Sequence, residues 1–293
     1  RGAKPELTED MPVTSLISLG KLMYRLFLPY QIQTNVSQLR NPLIISSNDT
    51  ELPWELMHDG NDFICIKNAI GRRIRTKERA KTTHYEKKET LRFLLIANPT
   101  GDLDATEEEV AHIRSKLKNI DSEIIKGPEA SNLRILDAFS SGNYDVIHYT
   151  GHAFFDPKNP DESGLILTDN KKIKAQEIKR ILAGRPLIFL NACSSGREMM
   201  HEGEISYTGS DTEGLASSFM LGGALSFIGA LWPIYDTGSA EFASVFYERL
   251  LKGETIGESL RYARIQIKKS KPNDITWASF VQYGDPTLRL IEL

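Results

Sequence analysis

Between residues 91 and 282, short apolar runs alternate with stretches of helical period, and this alternation restricts the chain to few architectures. Residues 91–97 (LRFLLIA), 144–149 (YDVIHY), 186–191 (PLIFLN) and 224–231 (ALSFIGAL) are apolar through most of their length, as strands covered on both faces must be. Residues 122–125 and 278–282 read as shorter strands, and 165–167 with 172–173, around Asp169-Asn170, as a small hairpin. Between them lie helical segments. Thr106 and Glu109 have the Thr-x-x-Glu form of a capping box ahead of Val110, Ile113 and Leu117. Further helices are expected over residues 133–139, 175–182 (with Gly184 to terminate it), 213–221, around Phe242 and Phe246, and around Leu260 and Ile267. Strands alternating with helices predict an α/β fold, a mostly parallel sheet with helices on both faces. Right-handed crossovers restrict the topology further. In such sheets chemistry collects beyond the C-terminal strand ends, where strand order reverses.

The preceding residues differ in pattern. Residues 42–46 and 63–66 read as strands, with 52–56 (LPWEL) between them, and Leu19, Leu22, Met23, Leu26 and Phe27 form one apolar helix face. Residues 72–90 contain eleven Lys, Arg or Glu among nineteen, which suits a solvated connector or a surface helix. The expected organisation is a smaller N-terminal subdomain and charged connector over 1–90, then a main domain over 91–293. The chain opens on Arg-Gly-Ala-Lys, as a fragment of a longer protein would.

Composition excludes more than it assigns. A formal net charge of −3, with Glu interspersed among the basic residues of the connector, gives no footprint for nucleic acid. No apolar run approaches the roughly 18 residues that span a bilayer. Two cysteines, Cys65 and Cys193, argue against a disulfide framework and for a reducing, cytoplasmic setting. The sequence has no Cys-x-x-Cys, His-Glu-x-x-His or phosphate-loop motif, so it points to no metal and no cofactor. The acidic stretch 100–104 (TGDLD) speaks against phosphate there.

Two strand ends carry reactive side chains. One strand runs into 149–153 (YTGHA) and places His152 at its end; another runs into 190–196 (LNACSSG) and places Cys193 there. On neighbouring strands the two would face each other. An imidazole can take the thiol proton and return it to a leaving amine, while backbone N–H groups of Cys193 and Ala153 serve the oxyanion. The bland alternative is a small buried Cys that packs as a hydrophobe. His148 alternates onto the same face as Thr150 and His152 and suits a packed or hydrogen-bonded core position. His58, His84, His112 and His201 lie in polar surroundings expected at the surface, and Cys65 in a structural one.

At these strand ends the sequence resembles the CHAT family of caspase-like peptidases, relatives of separase. The segments that carry the resemblance are 144–152 (YDVIHYTGH), 187–196 (LIFLNACSSG), 213–216 (EGLA) with 221–224 (LGGA), 227–236 (FIGALWPIYD), 52–56 (LPWEL) and 283–286 (YGDP). They are colinear and span most of residues 40–288. The resemblance implies a caspase-like fold, a His152–Cys193 dyad, no cofactor, and cysteine endopeptidase action on a protein or peptide substrate. In this chain Ala153 follows the histidine where the family has Gly. By position, Trp232 and Asp236 are expected to help build the pocket beside the dyad, with Asp211, Glu213 and Asp156 as further acidic groups able to hold a basic residue before the cut. For the carboxylates, helix caps or solvated loop positions are the alternative; for Trp232, core packing. The family also implies control by a regulatory domain or activator protein, and residues 194–212 suit an activation or substrate loop. Two other classes stay open: a catalytically silent peptide-binding module, and a different Cys-dependent enzyme such as an acyl transferase.

Overall fold

A computed structural model describes residues 12–40, 42–49, 52–81, 85–156, 158–194, 209–232 and 236–292. The N-terminal elements are helices α1 (Val13–Phe27) and α2 (Tyr30–Gln38), strand β1 (Leu43–Ile45), the short helix α3 (Ile64–Lys67) and strand β2 (Ile70–Arg72). There follow β3 (Phe93–Ala97), α4 (Ala105–Lys116), β4 (Ser122–Lys126), α5 (Asn132–Ser141) and β5 (Val146–Phe154). A hairpin of β6 (Gly164–Ile166) and β7 (Lys172–Lys174) leads to α6 (Ala175–Ile181), β8 (Leu187–Ser194), α7 (Gly209–Gly222) and β9 (Ser226–Ala230). The chain closes with α8 (Asp236–Leu250), α9 (Ile256–Ser270), α10 (Thr276–Ser279) and β10 (Phe280–Gly284).

The strands form one sheet in the order β1-β2-β10-β9-β8-β5-β3-β4, with the β6–β7 hairpin attached to β5. From β4 through β9 every pairing is parallel, and β10 runs antiparallel to β9. The expected α/β class and mostly parallel sheet therefore hold. α4, α8 and α9 pack on one face, and α5, α6 and α7 on the other. The sheet centre is dry: Phe93, Leu95, Val146, Leu187, Phe189 and Ile228 are wholly buried. Phe189 lies 5.5 Å from Phe246 and 5.2 Å from Phe280, ring centre to ring centre, which locks α8 and β10 onto β8.

Several local expectations need correction. Residues 63–66 are not a strand: they lie at the start of α3, where Phe63 and Cys65 are buried. α1 buries Leu16, Gly20, Met23 and Tyr24, while Leu22, Leu26 and Phe27 are exposed, so the apolar set picked from the sequence straddles two faces. His58 is buried, edge-on to Phe63, with Nδ1 accepting from the Gly60 N–H. Burial, then Lys21, holds its imidazole below the usual histidine range. Nor do Thr106 and Glu109 form a capping box. The Thr106 hydroxyl donates to Leu103 O, and Glu109 turns inward.

The segment before residue 91 continues the main sheet, because β2 pairs with β10 and β1 with β2. The LPWEL segment has a structural role at that join. Glu55, 1% exposed, accepts from Arg72 Nε at 2.8 Å, and Arg72 Nη2 also donates to Leu52 O. Burial pushes the Glu55 carboxyl up, but the Arg72 guanidinium outweighs it and holds it below the usual range. Beyond Arg72, which ends β2, the described residues of the connector lie outside the helices and strands. Lys81 Nζ donates to Arg180 O and Lys179 pairs with Glu78, which tack it along the α6 side of the sheet.

Candidate active site

The dyad positions meet at the C-terminal edge of the sheet. β5 and β8 are neighbours in parallel register, with Thr150 opposite Asn191 and His152 opposite Cys193. Period-two alternation puts positions 148, 150 and 152 of β5 on the face covered by α4 and α8, together with 189, 191 and 193 of β8. The side chain of Cys193 lies outside the described residues, and its backbone position is what the register places.

His152 is held by a residue from the loop that follows a third strand. β3 pairs with β5 on the side away from β8 and ends at Ala97, opposite Thr150. The chain then turns. Asn98 takes φ +44°, its N–H donates to Thr150 O, and its Oδ1 accepts from Leu103 N at 3.0 Å. Gly101 supplies φ +79°. The result presents Asp102 beside the imidazole: His152 Nε2 lies 3.0 Å from both carboxylate oxygens. The Thr100 hydroxyl donates to Asp102, and with His152 it holds that carboxyl below the usual aspartate range. A carboxylate only accepts, so Nε2 carries the proton, and in the neutral ring Nδ1 is left with its lone pair. Nδ1 is buried and has no partner among the described residues. The imidazole thus has one nitrogen committed to Asp102 and one available to a reacting group.

Asp102 is the candidate site residue that has no local signature in the sequence. Its stretch reads only as acidic, and no local pattern names His152, fifty residues away, as its partner. One signal was present: an acidic residue just past the strand where order reverses, β3 being followed by β4 on one side and β5 on the other.

Behind His152, Tyr149 occupies the opposite face of β5. Its hydroxyl lies 2.6 Å from both His152 O and Ile166 O, joining β5 to the hairpin. This accounts for the Gly in the Thr-Gly-His motif. A Cβ on Gly151 would fall 2.8 Å from Tyr149 Oη and 3.0 Å from Pro99 Cδ. Gly151→Ala is therefore expected to destabilise the protein by about 1–3 kcal/mol through overpacking, read as a lower urea midpoint with an unchanged slope.

The remaining expected site residues are dispersed. Ala153 lies in β5, between Ser194 and Leu165, and is absent from the described residues with positive φ. Alanine replaces the family's glycine there without left-handed strain. Trp232 is 1% exposed, a packing position. Asp156 closes its own loop: Oδ1 accepts from the N–H groups of Lys158 and Asn159. Asp211 and Glu213 lie in the first turns of α7, and Asp236 is the first residue of α8. The side chains of these three, and residues 195–208 of the expected activation loop, lie outside the described residues, as do His84 and His201. His148 is a core residue, stacked on Phe189 at 5.1 Å. Cys65 is buried, and burial pushes its thiol up to about 11, which makes it unreactive. Among the described residues no group of His, Cys, Asp or Glu is placed to hold a metal ion, and no helix is long and apolar enough to cross a membrane.

Known proteins place this arrangement in context. The chain is 22% identical to separin of Saccharomyces cerevisiae over 222 residues, 71% of this chain and 12% of that protein. It therefore spans about an eighth of the curated relative it matches. Two crystal structures of the S. cerevisiae separase–securin complex superpose on 85% of this chain with TM-scores of 0.53 and 0.52, at 19% and 18% identity, over 16% and 15% of the matched chains. At such identities the likeness establishes the shared fold. The model of the CHAT domain matches residues 18–285, nearly the whole length, and this chain belongs to the CHAT domain family.

Proposed function

We propose that this protein is a cysteine endopeptidase that cleaves a protein substrate through Cys193 and His152, with Asp102 holding the imidazole. One observation carries the reading: His152, in register opposite Cys193, has Nε2 engaged by a carboxylate and a buried Nδ1 with no partner among the described residues. A nitrogen so placed can accept the thiol proton as sulfur attacks the scissile carbonyl. The C–N bond then breaks as the imidazolium returns that proton to the leaving amine. Water, deprotonated by the same nitrogen, hydrolyses the thioester and restores the thiol. The N–H groups of Cys193 and Ala153 are the proposed oxyanion donors.

Preference for a basic residue before the cut rests on Asp236, with Asp211 and Glu213 as further acidic candidates from α7. Asp156, spent on its own loop, is the weakest of the four. The solved relative is a complex with securin, and control of this chain by a partner protein or regulatory domain is part of the proposal. So is a reducing, cytoplasmic setting, supported by a sequence with two cysteines, Cys65 buried and Cys193 at a strand end.

The test is labelling by a peptidyl chloromethyl ketone ending in Arg, read by mass spectrometry on the native chain and on His152→Ala. Labelling at Cys193 that falls at least roughly 100-fold in His152→Ala is the expected result. Absence of labelling by basic, acidic and neutral peptides alike would move the protein to the class of silent peptide-binding modules.

A further inference from the structure

Beneath the dyad lies a buried polar cluster that the chemistry above does not use. Glu109 projects from α4 into the sheet and is 2% exposed. Its Oε2 accepts from Thr150 Oγ1 of β5 and from Asn191 Nδ2 of β8, both at 2.8 Å. Its Oε1 stands 3.2 Å from His148 Nε2, and His148 Nδ1 lies 3.0 Å from Tyr247 Oη of α8. Burial, then Glu109, keeps the Tyr247 phenol protonated well past its ordinary range. The phenol can therefore donate to Nδ1, while His148 Nε2 and Glu109 Oε1 approach each other without hydrogen-bond geometry.

The location of this cluster is informative. The β8–β9 ladder ends at Leu190 and the β3–β5 ladder at Ala97–Thr150. Beyond those points, among the described residues, β5 and β8 continue as a two-strand overhang paired with each other through Ala153 and Ser194, with β6 joining β5 at Ala153 and Phe154. The overhang carries His152 and Cys193. Thr150 and Asn191 form the rung at its root, and the dyad is the next rung on the same face, about 7 Å further along. Among the described residues this overhang has one short outer neighbour, β6 on the β5 side, so it has more freedom to twist than the sheet centre, and one carboxylate hydrogen-bonded to both members at the root restricts that freedom. A buried carboxyl group is expensive, and an apolar side chain would fill this part of α4 at lower cost.

We infer that Glu109 is a positioning residue, which fixes how His152 and Cys193 face each other by clamping Thr150 and Asn191 at the base of the overhang. This rests on the Cys–His reading above. The test uses alkylation of Cys193 by iodoacetamide in the full chain, a probe that needs no substrate pocket. Glu109→Leu is expected to slow alkylation at neutral pH roughly tenfold or more, as small misplacements of reacting groups do. Glu109→Gln, which keeps an acceptor oxygen for Thr150 and Asn191, is expected to recover most of the rate. In a His152→Ala background Glu109→Leu should cause no further loss, because the geometry it serves is already gone. Thr150→Val, nearly isosteric, should show the same non-additivity at smaller scale, which keeps the test sound if Glu109→Leu folds poorly. Additive losses in the double variant, or wild-type alkylation in both Glu109→Leu and Thr150→Val, would overturn the inference while leaving the dyad standing. If His152→Ala itself leaves alkylation unchanged, the Cys–His reading fails and the clamp fails with it.

Discussion

Asparagine in place of Asp102 is expected to slow acylation of Cys193 by a peptidyl electrophile by roughly 10–1,000-fold, with the affinity for that electrophile little changed. The effect turns on which tautomer the His152 ring adopts. Asp102 presents two acceptor oxygens to Nε2 of His152 and no donor, so the ring proton must sit on Nε2 and Nδ1 must be the base. The substituted asparagine could turn its amide N–H₂ to Nε2, which would place the ring proton on Nδ1 and leave nothing to accept from the thiol. In serine peptidases the equivalent change costs about 10⁴-fold. A smaller effect is expected here because Asp102 is 61% exposed and water can substitute in part. That exposure also makes the test clean, since the variant should fold with an unchanged urea midpoint. The carboxyl is held below its ordinary value, so its contribution is fully present above about pH 4 and is lost as pH falls through that lowered value. The difference between wild type and Asp102→Asn should therefore narrow on acidification below about pH 4. A variant that labels at the wild-type rate at neutral pH would remove Asp102 from the mechanism.

The largest stability effect is expected far from the dyad. Arg72→Met leaves the Glu55 carboxylate buried without its guanidinium, and a loss of about 3–5 kcal/mol in unfolding free energy should follow. Glu55→Leu with Arg72→Met together should recover part of that loss, because the Glu55–Arg72 pair is removed as a unit while the buried Arg264 guanidinium keeps its backbone acceptors Trp277 O and Phe280 O. The pH dependence has a definite sign. The Glu55 carboxyl is held below its unfolded value of about 4.3, so the pair stabilises above that value and the gain fades as pH falls through the lower folded one. Wild-type stability should decline below about pH 4. In Arg72→Met, burial, the largest influence on Glu55, is opposed only by Arg264 and a backbone hydrogen bond, so the carboxyl should rise and that variant should gain stability as pH falls from neutral and the carboxyl protonates. Urea unfolding at about pH 7 and about pH 4 tests both statements. Labelling of Cys193 at low temperature should be unaffected, since the pair ties residues 54–56 to β2, which lies four places from β5 in the sheet order.

The strands that build the site were legible in the sequence because both their faces are buried. Such strands must be apolar along their length, and β3, β5, β8 and β9 all announced themselves in this way. Their ends were less legible: the apolar runs give way at Thr-Gly-His and Asn-Ala-Cys, yet β5 runs on through His152 to Phe154 and β8 through Cys193 to Ser194, because the two strands keep pairing with each other. Short runs failed: the apolar residues 63–66 fit one helical turn as well as a strand, and only their packing decides between them. Thr106 and Glu109 show a different failure. The pattern of a local cap was present, but Glu109 is drawn inward by partners 41 and 82 residues further along the chain.

From its own residues the sequence determined the α/β alternation and the placement of one imidazole and one thiol just past the apolar runs of two buried strands. These follow from short-range physics, from side-chain period and from the need to bury apolar surface. The tertiary structure decided what those groups meet. Strand order set β5 between β3 and β8, which brought Asp102 to one side of His152 and the Cys193 position to the other, and it folded Glu109 under both. Hydrogen bonds of this kind act over about 3 Å between residues tens of positions apart. No local propensity encodes them, and they exist only once the crossovers have laid the strands side by side.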